Sequence, residues 1–120
     1  MAVALPAVRT PSPRDLLWEH CRNNLGIVRL LVHEGRPDFL VATACRMAVE
    51  TAVRAALEES RLAFDGDLRG SLDRLEAPLD LVVGDENDLL RPERLAAAER
   101  AVGWVASWLR GRAPGRSWRY

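Results

Sequence analysis

The chain has two histidines, His20 and His33, and they carry whatever acid–base chemistry is available near neutral pH. His33 lies four residues after Arg29, and both share a helical face with Arg22. Such a trio can hold a phosphate. Placed against a scissile phosphate, it could serve general acid–base cleavage of RNA. The plainer reading is a solvated face, with His33 favoured by the dipole at a helix C-terminus. His20 stands at the edge of an apolar arc, one turn before Asn24. The two read as a satisfied buried polar pair rather than as a base and its orienter. Cys21 follows His20 directly, but neighbours on a helix point about 100° apart, which excludes a nucleophile–base dyad between them. Cys21 and Cys45 read as buried free thiols. With no CxxC and no paired His–Cys spacing, no metal site is expected.

Two further sets have the types and spacing for binding. Arg46, Glu50 and Arg54 follow one another at i,i+4 on the polar side of a long helix. If that side faces a cleft or a partner, these three are ligand contacts; otherwise they are a solvated stripe. Trp104 and Trp108 form an i,i+4 ridge beside a core stripe, where large aromatics serve either packing or an interface. The end of the chain, with Arg112, Arg116, Trp118, Arg119 and Tyr120, reads as a loose tail. A stacking contact with RNA or a partner is its alternative use. Asp65, Asp67 and Asp73 read as turn and cap residues, and Asp85, Glu86 and Asp88 as a solvated loop. Neither group has the spacing of a calcium loop.

These residues are positioned by helices. Ser12, Pro13 and Asp15 open a helix over about 13–34, with Leu17, Cys21, Leu25, Val28, Leu31 and Val32 as its core stripe, Trp18 at one edge, and Gly35 and Pro37 at its end. The next helix covers 38–60, with Asp38 as its expected cap. Its broad face of Val41, Ala44, Cys45, Ala48, Val49, Ala52, Ala55 and Ala56 admits close neighbours and makes it the centre of the fold. The short link predicts an antiparallel hairpin of the two. Asp65-Gly66-Asp67 starts a short third helix carrying Leu68, Leu72 and Leu75. Residues 77–92 read as a helical turn or an apolar loop, then a polar loop. A last helix over about 92–111 buries Leu95, Ala98, Val102, Val105 and Leu109. The expectation is all-α, an antiparallel up-and-down bundle of four to five helices over 13–111. An N-terminal arm (1–12) precedes it and a basic C-terminal tail (112–120) follows it.

Composition sets the outer limits. With 120 residues and 48% hydrophobic content the chain makes one domain with a real core. Seventeen basic residues balance seventeen acids, which argues against strong nonspecific nucleic-acid binding. The balance is uneven: residues 65–99 hold four Arg and ten acids, residues 100–120 five Arg and no acid. Every basic residue is Arg, which removes Schiff-base and phosphate-loop lysine chemistry. The first residues lack the charged start of a signal peptide, and no apolar run reaches membrane-spanning length. A cytoplasmic protein that does not enter a membrane is expected.

Residues 44–59, ACRMAVETAVRAALEE, followed by 64–75, FDGDLRGSLDRL, resemble the central helix and following turn of the HEPN (higher eukaryotes and prokaryotes nucleotide-binding) superfamily. RPERLAAAERAVGWVASWL resembles its closing helix. The resemblance implies a small all-α domain that works as a homodimer beside a minimal nucleotidyltransferase partner, as a toxin–antitoxin-like or nucleotide-binding module. Ribonuclease members of that family carry an Arg followed, after about four to six residues, by a His in a late helix. This chain has no His after residue 33, and Arg29 and His33, separated by only three residues, lie in the first helix and do not match that motif. The expected function is therefore a noncatalytic, dimeric nucleotide- or partner-binding module without a cofactor. A divergent ribonuclease using His20 or Arg29 and His33, and a helical adaptor using Trp104 and Trp108, are the alternatives.

Overall fold

The computed structural model describes residues 11–81 and 91–120. Among the described residues there are four helices: α1 (Pro13–His33), α2 (Asp38–Glu59), α3 (Leu68–Arg74) and α4 (Arg91–Arg112). The fold is an all-α helical bundle. Most of the expected N-terminal arm and the polar loop before α4 lie outside the described residues.

α1 begins as its sequence dictates. The Ser12 hydroxyl accepts the Asp15 N–H at 3.1 Å, and Pro13 takes the first helical position, where its missing N–H costs nothing. Trp18, Cys21, Leu25 and Val28 form its buried stripe. Trp18, expected at the edge, belongs to that stripe, whereas His20 is exposed. The expected buried His20–Asn24 pair is therefore not formed: the arc that meets α2 is centred nearer Trp18 than the apolar pattern suggested.

Gly35, at φ +65°, turns the chain out of α1. Its N–H donates to the Val32 carbonyl (3.2 Å), and that of Arg36 donates to the Leu31 carbonyl (3.0 Å), so the last carbonyls of α1 are satisfied. α2 starts at once after Pro37. Asp38, expected as its cap, is already the first helical residue, and no side chain caps this end. The Pro37 carbonyl instead accepts the N–H groups of Leu40 and Val41.

α2 is the centre. Its small residues Ala44, Ala48, Ala52, Ala55 and Ala56 are buried, as are Val41, Val49, Val53 and Leu57. Arg14 at the start of α1 pairs with Glu59 at the end of α2, which makes the two antiparallel. Arg29 late in α1 pairs with Glu99 early in α4 at 3.3 Å, so α4 also runs against α1 and along α2. Ala98, Ala101 and Ala106 of α4 join the α2 alanines in the core, which allows these helices close approach. The fully buried Leu25, Leu57, Leu72 and Leu109 each contribute about 1.5–3 kcal/mol of hydrophobic transfer.

α3 is held by its turn. The Asp67 carboxylate accepts the Gly70 N–H at 2.9 Å, and a Cβ on Gly70 would lie 2.5 Å from that carboxylate, so glycine makes room for the cap. Residues 77–81 form turn and loop rather than strand. Arg69 donates to the carbonyls of Leu81 (2.8 Å) and Leu79 (2.6 Å), pinning this segment to α3.

The C-terminal tail, expected to be mobile, folds back on α1. Trp118 is 2% exposed and meets Trp18 edge-on, with ring centres 5.5 Å apart and planes at 89°. Trp18 Nε1 donates to the Arg119 carbonyl (2.8 Å), and Trp118 Nε1 to the Ala113 carbonyl (3.1 Å). Arg116 pairs with Asp15 at 3.2 Å, and the Arg14 guanidinium lies 5.1 Å from the centre of the Trp118 ring. Two indoles with bonded N–H groups extend the hydrophobic core to the end of the chain, where charge and Pro-Gly suggested freedom.

Candidate functional site

The α1 trio is divided by its partners. Arg22 pairs with Glu19 one turn earlier at 3.6 Å, and Arg29 reaches across to Glu99 of α4. Both pairs are well exposed, so each contributes at most about 1 kcal/mol. His33 is exposed in the last turn of α1. His20 and His33 lie thirteen residues apart on one straight helix, a rise of about 20 Å. Within one chain the two cannot act on the same bond.

The α2 trio faces outward. Arg46 and Arg54 are exposed and Glu50 is half-buried, on the only side of this helix that is not core. Arg54 lies 5.7 Å from the centre of the Phe64 ring, in the turn leading to α3, which steadies its guanidinium on a half-buried aromatic face. Thr43 and Thr51 on either side return their hydroxyls to the Phe39 and Met47 carbonyls, each at 2.8 Å. The charged stripe shares this face of the helix with the exposed Phe39, Leu40 and Met47, an arrangement suited to meeting a ligand or partner rather than to moving a proton.

Trp104 and Trp108 are partly buried against the core, and the Arg112 guanidinium stacks 3.8 Å from the centre of the Trp108 ring. Tyr120 closes over α4 at Gly103, where a Cβ would lie 2.8 Å from the tyrosine hydroxyl oxygen. The ridge is covered in part by the chain's own end.

Sequence reasoning missed a cleft of about 780 Å³ between the start of α1 and the tail. Asp15, Glu19 and Arg22 line one side and Arg116 and Ser117 the other, with Trp18 and Trp118 also on its wall. Its charges are already paired, Arg116 with Asp15 and Arg22 with Glu19. The cleft contains neither histidine. The signal for it was Trp118 itself, a large apolar residue in a segment that otherwise looks solvated.

Both thiols are inert. Burial pushes Cys21 up to about 12, opposed by a hydrogen bond with Thr51. Burial pushes Cys45 up to about 11, opposed by the charge of Arg94. Among the described residues, no three His, Cys, Asp or Glu side chains form a group that could hold a metal ion, and no helix is long and apolar enough to cross a membrane.

No family model matches the chain, and comparison with curated proteins and with solved structures finds no significant match.

Proposed function

We propose that this chain is a noncatalytic HEPN-like domain that acts as a dimer and binds a nucleotide or a partner protein, a minimal nucleotidyltransferase being the partner class. The observation that carries the reading is the outward stripe of Arg46, Glu50 and Arg54 on the central helix. α2 is buried on its other sides, and Arg46, Glu50 and Arg54 share the outward face with the exposed Phe39, Leu40 and Met47, a mixture of charge and apolar surface that suits contact with a partner. The element order supports the same reading: a helical hairpin, then a short helix capped by Asp67, then a closing helix. Arg29, the arginine beside His33, is engaged by Glu99, which favours binding over ribonuclease chemistry at that pair.

Titration of a nucleoside triphosphate and of a minimal nucleotidyltransferase against the purified chain tests this. Arg46→Ala with Arg54→Ala should weaken whichever ligand binds by about 10- to 100-fold, the worth of one or two charge-assisted hydrogen bonds. Affinity that survives both changes, or a chain that binds neither ligand, refutes the proposal.

A further inference from the structure

Beyond the turn at 114–116 the tail carries no helix, and it meets the helices through every second side chain. Arg116 pairs with Asp15 at 3.2 Å, Trp118 packs on Trp18, and the Tyr120 phenol reaches the bare backbone of Gly103. Ser117 and Arg119 between them are exposed. The backbone is read as well. The Trp118 carbonyl accepts from the Arg110 guanidinium at 3.3 Å, and the Arg119 carbonyl accepts from Trp18 Nε1 at 2.8 Å. α1 and α4 thus form the two walls of a groove in which residues 116–120 lie. The α1 wall is held from the body of the fold. Glu59 of α2 holds Arg14, which covers the Trp118 ring and also holds one oxygen of Asp15 at 3.4 Å, leaving the other to Arg116. Alternate side chains in pockets, with main-chain carbonyls on side-chain donors, are the means by which a folded surface recognises a separate extended peptide.

We infer that the groove between α1 and α4 is a recognition site for an extended basic-aromatic segment of a partner protein, and that residues 116–120 occupy it in the single chain. The segment it fits has an arginine two residues before a tryptophan and an aromatic residue two after it. The groove is longer than its present occupant. Beside Arg116 and Ser117 it continues along α1 as the open cleft of about 780 Å³, past Glu19 and Arg22. The tail does not enter that part, because it comes from the turn at Pro114-Gly115 directly after α4. A partner's segment has no such turn and lays the residues before its arginine there. Asp15 selects the arginine, since an acid at that position would face Asp15 with Glu19 one turn further on. The tail, tethered to α4, is a competitor at high effective concentration, so a partner enters with a longer or better-matched segment. The site is separate from the stripe on α2 and does not depend on it.

Anisotropy of a labelled synthetic peptide of residues 114–120, titrated with the full chain carrying Trp118→Ala, tests this. That variant keeps the groove and loses its own occupant, so it should bind the peptide. The wild type should bind it at least about 10-fold more weakly, because its groove is filled. A peptide that itself carries Trp118→Ala should not bind. Asp15→Arg added to the Trp118→Ala chain should weaken the peptide by about 10-fold, and a peptide carrying Arg116→Asp should regain that loss on the same chain. Arg116→Ala with Tyr120→Ala loosens the tail and keeps Trp118 for folding, so this second variant should also bind more tightly than the wild type. No binding to either variant at unchanged far-ultraviolet helicity overturns the site and leaves the tail as packing. Equal binding by the wild type and both variants places the peptide elsewhere and overturns it too. A wild-type dimer that the peptide dissociates makes a second copy's tail the occupant and overturns the assignment to a partner.

Discussion

Replacing Trp118 by alanine should be among the most damaging changes in the chain, although the residue is third from its end. Its indole is 2% exposed, packs edge-on against Trp18, donates to the Ala113 carbonyl and lies beneath the Arg14 guanidinium. Truncating a buried aromatic costs on the order of 3–5 kcal/mol where the surroundings cannot collapse. Here the anchor sits in a terminal segment. Once released, that segment exposes the Ala113 carbonyl and Trp18 Nε1 to water, so no buried polar group is stranded. This places the loss near the lower limit, about 3 kcal/mol. It is still a large share of the 5–15 kcal/mol typical of a domain. Urea unfolding followed by far-ultraviolet dichroism reads it directly. With a slope of about 1–3 kcal/mol per molar, the midpoint should fall by about 1–3 M. Trp118→Phe keeps a ring in the pocket and loses the indole donor, for about 1 kcal/mol. Deletion of residues 114–120 should match Trp118→Ala. A midpoint for Trp118→Ala no lower than that of Ser117→Ala would refute the reasoning, because it would mean the tail does not stay on α1 in solution.

Two other tests probe the backbone and the core. Arg61 and Glu76 hold the left-handed position that closes α2 and α3, at φ 58° and 62°, so Arg61→Gly and Glu76→Gly should each raise stability by up to about 1 kcal/mol, while Gly35→Ala at the end of α1 should lower it by about as much, all read as shifts in urea midpoint. The thiols should show in pH dependence: Cys21 near 12 and Cys45 near 11 keep their protons in the folded chain above the ordinary value of 9.0, where the unfolded chain releases them. Stability contributed by the two protonated thiols is therefore complete below pH 9 and lost between pH 9 and 11–12, by at most about 1.4 kcal/mol per pH unit for each thiol, and neither should react with iodoacetamide at neutral pH until the chain unfolds.

The helices were legible because their signals are local. Ser12-Pro13 at one end of α1 and Gly35 at the other, the alanine face of α2, and Asp65-Gly66-Asp67 before α3 each specify an element within a few residues. What was not legible depends on contacts distant in sequence. Nothing near Trp118 announces that its partner is Trp18, a hundred residues earlier; charge and Pro114-Gly115 point the other way, and burial of two indoles outweighs them. Asp38 looks like a cap, yet the tight Gly35-Arg36-Pro37 turn brings the Pro37 carbonyl to the first amides of α2 and makes Asp38 helical. The candidate sites divide the same way. That Arg46, Glu50 and Arg54 share a face follows from spacing alone. That Arg29 is held by Glu99 needs α4 to pass beside α1.

α1 shows why periodicity found the core and overlooked the surface. Its apolar residues occupy most of the helix, because two stripes are superposed on one sequence. Leu17, Cys21, Leu25, Val28 and Val32 make the stronger row, and a search for one amphipathic face stops there. His20 was then placed at the border of that row and expected to be buried. In the fold it stands between Leu16 and Asn23 in the second row, on the side facing away from α2. α2 shows the same superposition: Arg46 and Arg54 share its exposed face with Phe39, Leu40 and Met47, so on neither helix of the hairpin does one apolar period account for the surface.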